Sequence, residues 1–83
     1  MDRTDVFAIL QSAAAETLSV DAADVTEQAR FKEDLGADSL DLVEFVMALE
    51  ERLDISVPEE DLDGVTTVGQ ALELCLNKLA AKA

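Results

Sequence analysis

The sequence predicts an all-α protein: a four-helix bundle, with three longer helices, one short third helix and a long first loop. Apolar residues recur at three- and four-residue spacing in separated segments, as they do on the buried face of a helix. No alternation of apolar and polar residues extends beyond Ile55–Val57, so no strand is expected. A chain of 83 residues can build one modest core. Residues 1–83 are therefore predicted to form a single domain.

The first helix is predicted from about Thr4 to Leu18, where the apolar residues share one face. Residues 19–38 break this pattern, and a loop of that length is unusual in a small domain. We expect the loop to pack onto the bundle through its isolated apolar side chains. These side chains are Val20, Val25, Phe31 and Leu35. Gly36 ends the stretch.

Three further helices follow the loop. The second long helix is predicted over residues 39–53, where the apolar spacing is most complete. A short third helix is predicted over residues 58–62, because proline suits the first turn of a helix. Thr67 and Gln70 have the spacing of a capping box, in which each side chain accepts from the other's backbone N–H. They predict the start of a last helix that runs to about Leu79.

The charge balance excludes several classes of partner. Nineteen acidic residues against six basic ones give a net charge of −13. Such a chain repels nucleic acid and anionic membrane surfaces, so neither is expected as a partner. High net charge favours a monomer and basic protein partners. Charge that serves only solubility remains the alternative interpretation.

The compartment is predicted from three features. The single cysteine, Cys75, cannot form an internal disulfide, which favours a reducing compartment. The first residues, Met1 to Arg3, do not open like a signal peptide, because an acid follows at once. No stretch approaches the ~20 apolar residues of a membrane span. We therefore expect a cytoplasmic protein.

Catalytic and metal sites are not expected. The chain has no histidine, so neither a Ser-His-Asp nor a Cys-His arrangement can form within it. An EF-hand loop counted from Asp61 requires a glutamate at its twelfth position, and Leu72 stands there instead. The sequence therefore predicts a non-enzyme with no catalytic residues and no metal ligands.

The second long helix has two apolar faces. One complete stripe, predicted to face the core, consists of Leu42, Phe45, Val46, Leu49 and Leu53. The opposite side carries Leu40, Val43 and Met47, bordered by Asp41, Glu44, Glu51 and, on the other flank, Glu50. Twelve of the nineteen acids lie within residues 33–63, with one base. An exposed docking strip is predicted, since exposed apolar patches mark binding sites. The alternative is that these side chains lie under the loop or another helix.

Ser39 begins this helix and permits two interpretations. A serine at that position commonly caps the helix by accepting a backbone hydrogen bond. A phosphate ester on its hydroxyl would also be accommodated there, near unpaired N–H groups and the positive end of the helix dipole. The residues alone leave both open.

The segment around Ser39 resembles the attachment motif of acyl carrier proteins. The motif is Leu35-Gly36-Ala37-Asp38-Ser39-Leu40-Asp41. The resemblance continues, in the same order as in the family, through residues 18–20, 31–35, 43–51, 55–58 and 65–68. It thus covers nearly the whole chain, and it is closest to the carriers of bacterial type II fatty acid synthesis.

The resemblance implies that Ser39 bears 4′-phosphopantetheine, transferred from coenzyme A by a phosphopantetheinyl transferase that recognises Asp38. The arm's thiol would carry growing acyl chains as thioesters. Implied partners are the transferase, an acyltransferase, a ketosynthase and other acyl-processing enzymes with basic surfaces. The positions that match the family's partner face are Leu40, Asp41, Val43, Glu44, Met47, Glu50 and Glu51.

Two positions depart from the family pattern. Leu42 stands where fatty-acid carriers often have a polar residue, and Cys75 stands where a larger aliphatic residue is common. A carrier of polyketide or other specialised acyl groups would have the same architecture. An acidic helical adaptor without a prosthetic group, with Ser39 only as a cap, is the alternative of another class.

Overall fold

A computed structural model describes residues 2–82 of the chain. It contains three α-helices, α1 (Arg3–Leu18), α2 (Ser39–Leu53) and α3 (Val68–Lys82). Two 3₁₀ segments, Ala22–Asp24 and Glu59–Leu62, lie between them. The described residues contain no strand and only one isolated antiparallel bridge, between residues 30 and 67. The all-helical prediction is confirmed.

The predicted short third helix is a single 3₁₀ segment. It begins at Glu59, and Pro58 has the extended conformation of the residue before a helix, φ −64° and ψ 153°. Proline therefore precedes the turn instead of occupying its first position. The fourth member of the bundle is thus only four residues long.

The core lies between the three α-helices and is covered by the long loop. Val25, Phe31 and Leu35 of the loop are buried, and Val20 is half-buried against the same core, as predicted. The rings of Phe31 and Phe45 lie 5.4 Å apart at 51°, within the range of favourable aromatic pairs. The loop is therefore part of the core and not a loose connection.

Backbone hydrogen bonds fix the loop to the start of α3. The N–H of Phe31 donates to the Thr66 carbonyl at 3.0 Å, and the N–H of Val68 donates to the Ala29 carbonyl at 2.9 Å. Gly69 donates to the Glu27 carbonyl at 2.9 Å, where a Cβ would lie 3.0 Å from the same oxygen. These bonds satisfy backbone groups that a buried loop would otherwise leave unpaired.

The predicted capping box of α3 is confirmed. The N–H of Gln70 donates to Thr67 Oγ1 at 3.3 Å, and the N–H of Thr67 donates to Gln70 Oε1 at 3.0 Å. The helix continues to Lys82, beyond the predicted end, and Leu79 is only half-buried. Lys82 Nζ donates to the Asp54 carbonyl at 2.6 Å, a long-range contact that stabilises the last turn.

The predicted division of α2 into a buried and an exposed apolar face is confirmed. Phe45, Val46, Leu49 and Leu53 are buried, whereas Leu42 is only half-buried, at the margin of the stripe.

Across residues 2–82, no helix is both long enough and apolar enough to pass through a membrane.

Candidate functional site

Ser39 is the first residue of α2, and its neighbour Asp38 is the cap. The carboxylate of Asp38 accepts from the N–H of Asp41 at 2.8 Å, and the carboxylate of Asp41 accepts from the N–H of Asp38 at 3.2 Å. The interpretation of Ser39 as the N-cap is therefore wrong. Aspartate caps a helix as well as serine does, and here it lies one position earlier. The exposed Ser39 hydroxyl is left without a capping role.

Two buried side chains, on either side of an exposed glycine, hold the segment before Ser39 in place. Leu35 and Ala37 point into the core, while Gly36 between them has φ +67°, a conformation that glycine adopts without strain. The N–H of Ala37 donates to the Phe31 carbonyl at 2.8 Å. The chain therefore enters α2 along a fixed path with Ser39 facing outward.

An open groove of about 410 Å³ borders Ser39. Its walls come from the end of the loop, the first turns of α2 and the segment between the second 3₁₀ turn and α3. The lining residues are Phe31, Lys32, Glu33, Ser39, Leu42, Val43, Glu59, Leu62, Asp63, Gly64, Val65 and Thr66. The groove offers an apolar floor beside the hydroxyl and a charged rim.

A smaller apolar cavity of about 60 Å³ lies deeper, between α2, α3 and the second 3₁₀ segment. It has room for about two water-sized molecules. Phe31, Leu42, Leu62 and Val65 line both the groove and the cavity, so these side chains separate the two spaces. Cys75 lines the inner cavity.

Cys75 is not placed to act as a nucleophile. Its side chain is 2% exposed, and burial raises the pKa of the thiol to about 11. The thiol therefore stays neutral near pH 7, and thiolates are the reactive form.

The outer face of α2 is apolar at its centre. Leu40, Val43 and Met47 are 66%, 45% and 56% exposed, and they are the exposed large hydrophobic residues within residues 2–82. The sequence predicted this exposed face, and neither the loop nor another helix covers it. The exposed large hydrophobic side chains of the described residues therefore all lie on one helix.

The acids predicted beside this face differ in their surroundings. Glu44 and Glu51 are exposed, and no basic side chain of the described residues lies within salt-bridge distance of either. Asp41 is half-buried and holds the capping box. Glu50 is also half-buried, and its carboxylate accepts from the N–H of Val57 at 2.9 Å. Asp41 and Glu50 thus already have structural partners.

Sequence reasoning missed the groove. Its far wall comes from residues 59–66, which are remote from Ser39 in sequence, and its single basic residue is Lys32. The capping role of Asp38 could have been recognised, since Asp38 and Asp41 have capping-box spacing.

Comparisons with known proteins show the family of the chain. The model of a family described as "Phosphopantetheine attachment site" matches residues 8–75. An acyl carrier protein of Saccharopolyspora erythraea is 45% identical over 80 residues, which is 96% of this chain and 84% of the relative. An acyl carrier protein of Helicobacter pylori is 49% identical over 76 residues, which is 90% of this chain and 97% of the relative.

The chain belongs to the acyl carrier protein family. Members of this family are carriers, and membership implies a covalently attached 4′-phosphopantetheine. Acyl-processing enzymes are the partners of such a carrier. The surroundings of Ser39 fit the group: the hydroxyl is exposed, the first turn of α2 offers backbone N–H groups, and the groove leaves space for an arm.

The capping box yields a prediction about stability. Asp38→Ala should lower the free energy of unfolding by about 0.5–2 kcal/mol, because the Asp41 N–H loses its acceptor. Ser39→Ala should change it by less than about 0.5 kcal/mol, because that side chain caps nothing. Urea unfolding followed by circular dichroism measures both. A larger loss in Ser39→Ala than in Asp38→Ala would contradict the assignment of the cap.

Proposed function

We propose that residues 1–83 form one acyl carrier domain whose Ser39 bears the 4′-phosphopantetheine arm. The arm's thiol holds growing acyl chains as thioesters, and the domain delivers them to the enzymes of fatty acid biosynthesis. The domain is not itself an enzyme. A phosphopantetheinyl transferase attaches the arm and uses Asp38 in recognising the site. The protein works in the cytoplasm as a monomer, which the buried, unpaired Cys75 and the high net charge support.

One observation carries the proposal: an adjacent aspartate caps α2, so the Ser39 hydroxyl is exposed and committed to no backbone bond. A serine that served only as a cap would use its oxygen for the first turn. The adaptor interpretation needs that role for Ser39, and here Asp38 fills it. The carrier interpretation needs a free hydroxyl at the positive end of a helix.

The chain's own residues would hold the arm in two ways. The backbone N–H groups in the first turn of α2 would stabilise a phosphodiester on Ser39, because the helix dipole favours negative charge at this end. The apolar floor of the groove, with Leu42, Leu62 and Val65, would contact the arm, and the same three side chains also line the inner cavity. Cargo longer than a few atoms exceeds a cavity of about 60 Å³. It would therefore enter only if the helices part.

The outer face of α2 is proposed as the docking surface for the transferase, an acyltransferase and a ketosynthase. Leu40, Val43 and Met47 would bury apolar area in a complex, and methionine adapts to several partners. Glu44 and Glu51 would attract basic residues of the partner and orient it. Asp41 and Glu50 are proposed to contribute charge at the margin while they keep their structural bonds.

The fatty acid pathway is proposed over a polyketide pathway because residues 36–51 are most similar to carriers of dissociated fatty acid synthesis. The class of cargo is a separate question. Asp38 before the serine favours acyl over aminoacyl cargo.

Loading in vitro tests the attachment site directly. The protein is incubated with coenzyme A and a broad-specificity phosphopantetheinyl transferase, and its intact mass is measured. The wild type should gain the mass of one phosphopantetheine group. Ser39→Ala should gain none while its circular dichroism spectrum stays helical, and the exposed Ser56→Ala should load like the wild type. A wild type that stays unmodified would favour the adaptor interpretation.

Charge reversal tests the docking surface. Glu44→Lys with Glu51→Lys should lower kcat/KM for loading by the transferase about tenfold or more at low salt, because electrostatic steering is lost. Asp21→Lys serves as the control, since Asp21 is exposed in the loop after α1 and forms no side-chain cap bond. The effect should shrink near 1 M salt, where charges are screened beyond about 3 Å. If kcat/KM falls equally per reversed charge in the double variant and in Asp21→Lys, a localised docking face is contradicted.

Cargo length tests the role of the inner cavity. Loading with acyl groups of increasing length should raise Tm progressively, because each methylene that becomes buried contributes about 0.8 kcal/mol. Cys75→Leu narrows the cavity and should reduce that rise, whereas Cys75→Ala should preserve it. A Tm independent of cargo length in all three proteins would show that the cargo stays outside.

A further inference from the structure

We propose that Lys32 binds the phosphodiester of the prosthetic arm and so fixes the arm's direction along the groove. The proposal rests on the attachment of the arm to Ser39. Lys32 and Ser39 line the same groove, and Lys32 is the one basic residue among the groove's lining. A lysine ammonium on its flexible stem is a common ligand for phosphate oxygens.

The other bases of the described chain are already paired. Arg3, Arg30, Arg52, Lys78 and Lys82 each have a carboxylate oxygen within 4.0 Å. Lys32 has none within residues 2–82, although the chain carries nineteen acids. Its charge is therefore available to an anion that enters the groove.

The groove also explains why a cation is needed there. Glu33, Glu59 and Asp63 line it, and each would repel a phosphodiester on Ser39. Glu33 is partly neutralised by Arg30, at 3.4 Å, whereas Glu59 and Asp63 have no basic partner within residues 2–82. Among the residues that line the groove, Lys32 carries the positive charge that offsets this repulsion.

The position of Lys32 is fixed by its neighbour. Phe31 is buried, its N–H donates to the Thr66 carbonyl at 3.0 Å, and its carbonyl accepts from the Ala37 N–H at 2.8 Å. These hydrogen bonds hold the backbone next to Lys32 against the segment before α3 and the segment before α2. The side chain of Lys32 is exposed, and because its backbone is already held in place, it can contact the arm without a prior ordering of the loop.

The test compares the loaded and unloaded forms of four proteins: the wild type, Lys32→Gln, Lys32→Arg and Lys82→Gln. Lys82→Gln removes the same charge at the far end of α3, where Lys82 pairs with Asp54. Intact mass first establishes loading. The rise in Tm from unloaded to loaded form is then measured at low salt and near 1 M salt, together with the ³¹P resonance of the phosphodiester.

At low salt, Lys32→Gln should show a rise smaller than that of the wild type by about 1–5 °C, the value expected for one exposed ion pair in a domain of this size. Its ³¹P resonance should shift, Lys32→Arg should behave like the wild type, and high salt should remove the difference. Lys82→Gln should leave both readouts at wild-type values. If Lys32→Gln loads fully and matches Lys82→Gln in both readouts, the role of Lys32 is overturned. If the wild type does not load, the attachment proposal itself fails.

Discussion

The reciprocal hydrogen bonds between Asp38 and Asp41 are the constraint on which the site depends. They complete the first turn of α2 without using Ser39, so the hydroxyl faces water beside the groove. Two carboxylates at this point also suit the positive end of the helix, in a chain whose other acids mostly repel one another. If Ser39 were the cap, its oxygen would face the backbone, and an ester there would disrupt the turn it stabilised.

Most of the basic residues form ion pairs that join different elements of the fold. Arg3 joins Glu27 of the loop to Glu73 of α3, and Arg52 joins α2 to Glu16 of α1. Exposed ion pairs of this kind contribute only about 0–1 kcal/mol each to stability. Their placement still shapes the surface, because they neutralise acids elsewhere and leave the outer face of α2 negative. A negative face around an apolar centre suits partners that are basic around an apolar contact.

The sequence predicted the division of α2 into a buried and an exposed face, because a helix period assigns each side chain a direction. It also predicted the capping box of Thr67 and Gln70, in which both partners lie within one turn. The features it missed depend on contacts between remote residues. The groove beside Ser39 needs residues 59–66, and the contact of Lys82 with Asp54 joins the end of α3 to the residue after α2.

The cap of α2 was left open by the sequence for a different reason. Aspartate and serine are both good caps, so neighbouring residues of these types give two equivalent registers. Only the position of Asp41, three residues after Asp38, decides between them. The same one-residue difference separates a serine that serves the fold from one that is free for chemistry.

The most direct test of this account is fragmentation mass spectrometry of the intact protein purified from its own host. We expect a single phosphopantetheine group located on Ser39, with acyl cargo on its thiol in part of the population. A chain that carries no such group, or carries it on another residue, would contradict the central claim.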